Sequence, residues 1–128
     1  MDLTIFLAQI MGVYILVSGL SGLLYGERMQ KALTEATKSY LLPYFDGAIA
    51  LIVGLIVVLT HNIWTGSVAT LVTLIGWIIL IEGFAMLLLP HKTLVSFAQK
   101  FSSKQMAMGW SVLAVIVGAF LTYQGFFV

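Results

Sequence analysis

The sequence has no cysteine, only two prolines, and five acids against six bases in 128 residues, so charged side chains make up 9% of it. Without cysteine it is neither a disulfide-stapled secreted module nor a thiolate metal site. A soluble domain carries about 25% charged residues, and small domains have proportionally the most surface to cover. A water-facing body of this size is therefore excluded. The net charge of +1 offers no basic patch for nucleic acid, and a content of 61% hydrophobic residues excludes a disordered tail. Catalytic signatures are missing too: there is no glycine-rich phosphate loop, no His-Glu-x-x-His helix, and no serine with a plausible base. Six scattered methionines read as packing rather than a soft-metal path. The chain reads as a membrane protein without enzymatic chemistry, cofactor or metal.

Apolar runs are what it does have. A hydrocarbon core of about 30 Å takes roughly 20 residues of helix. Residues 3–24, 43–60, 68–89 and 106–127 meet or approach that length, the second run being extended by Leu41 and Leu42. Backbone groups in lipid must be satisfied within the segment, so these runs are expected to be helices despite β-branched stretches such as Ile56-Val57-Val58. The fold class is all-α, with four transmembrane helices in a single membrane domain over residues 1–128.

All six basic residues fall in two connections: Arg28, Lys31 and Lys38 between spans one and two, and Lys92, Lys100 and Lys104 between spans three and four. The other side holds Asp2, the stretch from His61 to Ser67 and the C-terminus, with no Lys or Arg. By the positive-inside rule the basic connections are cytoplasmic and both termini lie outside. The first span carries an acid and no base before it and is too long for a signal peptide, so it is expected to be retained. Trp64, Phe126 and Phe127 would mark the outer interface, and Tyr25, Tyr40 and Tyr44 the inner one.

A shift of 64 residues aligns Gly12 with Gly76, Gly19 with Gly83, and Ile52-Val53-Gly54 with Ile116-Val117-Gly118. Each half, residues 1–64 and 65–128, then reads as span, basic connection, span. We expect an internal repeat of two similar helical hairpins in parallel orientation. In the first connection Met29, Leu33, Ala36 and Tyr40 share a helical face; in the second Leu94, Ala98 and Phe101 do, with Pro90 placed for a first turn. Both read as short amphipathic cytoplasmic helices. They serve either as simple re-entry connectors, which we favour, or as surfaces for anionic lipid or a partner.

Glu82 is the most informative single residue. It lies inside the third span, where an acid costs about 2.5–3.5 kcal/mol on insertion scales and is by default paired or functional. It is either assembly glue, hydrogen-bonding a neighbouring helix through Ser18 or Trp110, or a proton or cation site. Asp46, near the cytoplasmic end of span two, is expected to reach Lys38 or Lys104 or to snorkel to the interface. His61 and His91 fall on opposite sides of the membrane and cannot share a haem or metal. Small residues recur at helical spacing: Ser18, Gly22 and Gly26; Gly12, Gly19 and Gly26; Ala50 with Gly54; Ala114 with Gly118. Together with Gly76 and Gly83 they are expected to let helices approach closely.

The run Ile79-Leu80-Ile81-Glu82-Gly83-Phe84, followed by Leu87-Leu88-Leu89-Pro90, an amphipathic segment and a glycine-bearing closing span, resembles the YjeT-like small inner-membrane proteins. These are two-span proteins of about this half-length with no established activity. The resemblance covers residues 71–124 and rests on the Glu-Gly pair and the downstream proline. In the first half Ser18 stands for the acid and Gly26 for the proline. The resemblance implies a bacterial inner membrane and a fused pair. Together these features lead us to expect a non-enzymatic structural or accessory subunit that self-associates or docks on a larger membrane complex, with the lipid bilayer as its other partner. The alternative is a small oligomeric channel or transporter for protons or small ions that uses Glu82.

Overall fold

A computed structural model of the chain describes residues 3–101 and 103–127, which places Asp2 outside the described residues. These residues form six helices: α1 (Leu3–Leu24), α2 (Gly26–Thr37), α3 (Leu41–Thr60), α4 (Ser67–Leu88), α5 (His91–Phe101) and α6 (Lys104–Phe126). Four of them, α1, α3, α4 and α6, are long and apolar enough to cross a membrane. They coincide with the four apolar runs to within two residues at each end. All-helical architecture with four such helices fits an integral membrane protein.

The helix starts have local causes. The Ser39 hydroxyl accepts from the Leu42 amide at 3.1 Å, and that of Ser103 from the Met106 amide at 3.2 Å. Each satisfies one of the amides that a first turn leaves unpaired, so α3 and α6 begin about two residues before the apolar runs do. Pro90 precedes α5, and its carbonyl accepts from the amides of Thr93 and Leu94. Gly66 opens α4 with φ +91°, in the left-handed region where a side chain is strained, so glycine suits the turn into α4.

The helices sort into two compact units. One holds Met1–Thr34 with Gln99–Val128; the other is Glu35–Ala98. In the first, α1 packs along α6; in the second, α3 packs along α4. This differs from the hairpins expected from the half-chain repeat, in which span one would pair with span two and span three with span four. Spacing of small residues shows that a helix has a close neighbour, but not which helix that neighbour is.

In the first unit a Cβ on Gly12 would lie 2.6 Å from the backbone nitrogen of Thr122, and one on Gly19 would lie 2.7 Å from that of Val115. Gly118 meets the backbone of Leu16, Gly22 meets the Ser111 hydroxyl, and Gly125 meets Gln9. Ala8 and Leu121 are fully buried there. In the second unit a Cβ on Gly54 would lie 2.6 Å from the Cα of Leu80. Gly83 meets Ala50 and Leu51, Gly76 meets Val57, and Gly47 meets Met86 and Leu87. In lipid, helices associate through such close contact rather than through a hydrophobic drive, because lipid tails are as apolar as the side chains.

One glycine of the expected packing set behaves differently. Gly26 has nothing within 4 Å of where a Cβ would stand, because it lies beyond the end of α1 and opens α2. Gly47 and Gly125, which sequence spacing did not single out, stand at close contacts.

Candidate functional site: two acids on apolar helices

The second unit brings two acids together. Gly83 against Ala50–Leu51 and Gly47 against Met86 fix the register of α4 on α3. Asp46 precedes Gly47 by one residue, and Glu82 precedes Gly83. In this antiparallel register Asp46 stands roughly one to one and a half helical turns beyond Glu82, toward the end of α4, which leaves the two acids as electrostatic neighbours. At 1.5 Å per residue, Asp46 stands about 8 Å from the start of α3 and Glu82 about 9 Å from the end of α4. Both side chains are exposed, so this unit presents an acidic pair on an otherwise apolar helical face.

Within the second unit the acid near Glu82 is Asp46, a neighbour that spacing along a single helix does not reveal. Ser18 stands exposed on α1 in the first unit, in an open, mostly apolar groove of about 640 Å³ with Gln9, Tyr14 and Phe126. Among the described residues, no group of three or more His, Asp or Glu could hold a metal ion.

A second polar cluster lies at the opposite end of the same unit. The Thr73 hydroxyl donates to the carbonyl of Ile63 at 2.9 Å, accepts from the Ile63 amide at 3.1 Å, and lies 2.9 Å from Nδ1 of His61. His61 and Thr73 are both buried, so residues 61–63 are pinned onto α4. Asn62 Oδ1 accepts from the indole nitrogens of Trp64 at 2.9 Å and Trp77 at 3.4 Å. Sequence reading excluded His61 from a metal site shared with His91 and gave it no other role; its observed partner is the Thr73 hydroxyl on α4. Between Thr73 and Glu82, about 13 Å along α4, no side chain of α4 titrates. The two polar clusters are therefore not joined along α4.

The basic residues sit in or beside the short helices. Lys31 makes an exposed pair with Glu27 at 3.5 Å, worth a few tenths of a kcal/mol. The Arg28 guanidinium lies 4.7 Å from the centre of the Tyr25 ring. Lys104 lines a polar recess of about 480 Å³ with Glu27 and Gln30. Lys38 ends the first short connection, while Lys92 and Lys100 lie on α5. His91, at the start of α5, stacks on Tyr40 with ring centres 4.0 Å apart, and its Nε2 lies 3.2 Å from the Thr37 carbonyl. That contact ties the end of α2 to the start of α5. No protein family, curated protein or solved structure matched the chain.

Proposed function

We propose that this protein is a non-enzymatic assembly or accessory subunit of a bacterial inner membrane, self-associating or docking on a larger membrane complex. The observation that carries this reading is two exposed acids, Asp46 and Glu82, on helices apolar and long enough to cross a membrane. Polar carboxyls facing lipid cost several kcal/mol, whereas the same groups facing protein gain hydrogen bonds. A face of this kind is stable when another helix covers it. The basic connections, α2 and α5 included, lie at the cytoplasmic interface as amphipathic helices, and both termini are extracytoplasmic. The six-to-zero split of Lys and Arg supports that orientation. The resemblance of residues 71–124 to the YjeT-like family supports the inner membrane.

A proton or ion pathway is the second reading, favoured by the presence of two acids inside apolar helices. The apolar stretch of α4 between Thr73 and Glu82 counts against it. Flux separates the two. In proteoliposomes under a proton gradient, the assembly reading predicts no flux above empty vesicles for the wild type. It also predicts that Glu82→Gln and Asp46→Asn weaken self-association or partner capture. Wild-type flux abolished by Glu82→Gln, with assembly intact, would establish the channel instead.

A further inference from the structure

The contacts in the two units share one numbering relation. Gly12 rests on Leu121–Thr122, and Gly76 rests on Val57–Val58. Gly19 rests on Val115, and Gly83 on Leu51; Leu16 rests on Gly118, and Leu80 on Gly54. The polar contact at the end of each helix pair repeats as well. Gln9 Nε2 donates to the carbonyl of residue 125 at 2.8 Å, and Thr73 Oγ1 lies 2.9 Å from the ring of residue 61. Every residue of one set maps onto the other by the same offset of 64, as Gln9 maps onto Thr73 and His61 onto Gly125. Ala8 and Val72, both fully buried, obey it too.

One helix pair is thus used twice, but crosswise. The first span of the first half packs on the last span of the second half, and the first span of the second half packs on the last span of the first. Each half contributes one helix to each unit. The alternative, each half closing on itself, would use the same kind of faces. Something must distinguish the two pairings.

One contact breaks the likeness in a complementary way. In the first unit Gly22 on α1 faces Ser111 on α6; at the equivalent place in the second unit Met86 on α4 faces Gly47 on α3. The small residue has changed sides. We infer that Gly22, Ser111, Gly47 and Met86 form a size-exchange key that commits the two halves of the chain to pair with each other rather than each with itself. In the same geometry, α1 on α3 would set Gly22 against Gly47 and leave a gap. Likewise α4 on α6 would set Met86 against Ser111 and overfill the contact. Overpacked and underpacked contacts both cost stability, so either mispairing is penalised at this one position. The inference stands independently of the proposed assembly role, because it concerns only which helices of this chain pair.

The test uses the full chain in mild detergent, read as the monodisperse fraction on size exclusion after heating. Gly22→Met alone must collide with Ser111, and Gly47→Ser alone with Met86; each is expected to lose most of the monodisperse fraction. Gly22→Met with Ser111→Gly copies the second unit's contact into the first, and Gly47→Ser with Met86→Gly copies the first into the second. Both doubles are expected to recover most of the monodisperse fraction. Because they make the two contacts alike, they are also expected to lose the pairing choice, read as α1–α3 disulfide cross-links between introduced cysteines that the same cysteines in the wild-type sequence do not form. Doubles that stay as strictly paired as the wild type would overturn the inference. Gly22→Met with Val115→Gly frees comparable volume at a non-equivalent place and is expected to recover little. The inference is overturned if either single is silent, if either double remains as poor as its single, or if the Val115 control rescues equally well.

Discussion

Gly54→Ala tests the packing of α3 on α4 with one methyl group. Its Cβ would stand 2.6 Å from both the Cα and the backbone nitrogen of Leu80, and 2.8 Å from the Leu80 Cβ. Ordinary contact for such an atom begins at about 3.4 Å, so the helices must part locally by nearly 1 Å. Two of the opposing atoms are backbone, which cannot swing away as a side-chain tip can. Overfilling of this kind costs about 1–3 kcal/mol, a factor of roughly 5–150 in the folding equilibrium. The intrinsic helix preference for alanine, up to about 1 kcal/mol, works in the opposite direction and sets the lower bound. Gly109→Ala is the internal control: it lies within α6 with nothing within 4 Å of its Cβ position and gains the helix preference without the collision. The assay is reversible unfolding in mixed micelles with increasing SDS mole fraction, followed by circular dichroism. Gly54→Ala should unfold at lower SDS than wild type, and Gly109→Ala at the same or higher SDS. Equal midpoints for the two variants would refute the close α3–α4 contact.

Two further outcomes follow from the polar contacts. Thr73→Val removes a hydroxyl that holds both backbone groups of Ile63 and the ring of His61, which should destabilise residues 61–66 by about 1–3 kcal/mol and raise their protease sensitivity with α3 and α4 intact. His91→Ala removes the Tyr40 stack and the contact to the Thr37 carbonyl, worth together about 1–2 kcal/mol, and should accelerate amide exchange at the start of α5 more than in α4. Because the chain has no cysteine, single cysteines at Trp64 and Lys92 can report orientation. A membrane-impermeant maleimide added to intact cells should label the first and not the second.

The spans were legible in the sequence because hydropathy and length are properties of single segments. Residues 3–24 read as a span and fold as α1 without adjustment. Cap chemistry was less legible: Ser39 and Ser103 extend α3 and α6 into the polar connections, where apolar counting stops. Pairing was not legible. Gly19 and Gly83 advertise a close neighbour, but the identity of that neighbour depends on matched volumes across the contact, as at Gly22 with Ser111 and Gly47 with Met86. The site divides in the same way. Glu82 stood out as an acid in an apolar run, and Asp46 was noticed separately, but that both lie in one unit depends on α3 packing on α4. Gly26 shows the opposite failure, since it keeps the spacing of a packing glycine and lies two residues beyond the helix that packs.

The most direct test of the assembly account is the mass of the protein in nanodiscs by native mass spectrometry, wild type beside Glu82→Gln and Asp46→Asn. The account predicts a discrete species larger than one 14.0 kDa chain, either a homo-oligomer or a stoichiometric complex with another membrane protein, and a shift toward the single chain in both variants. A wild type that is a lone chain at every concentration, or a complex indifferent to both substitutions, would contradict it.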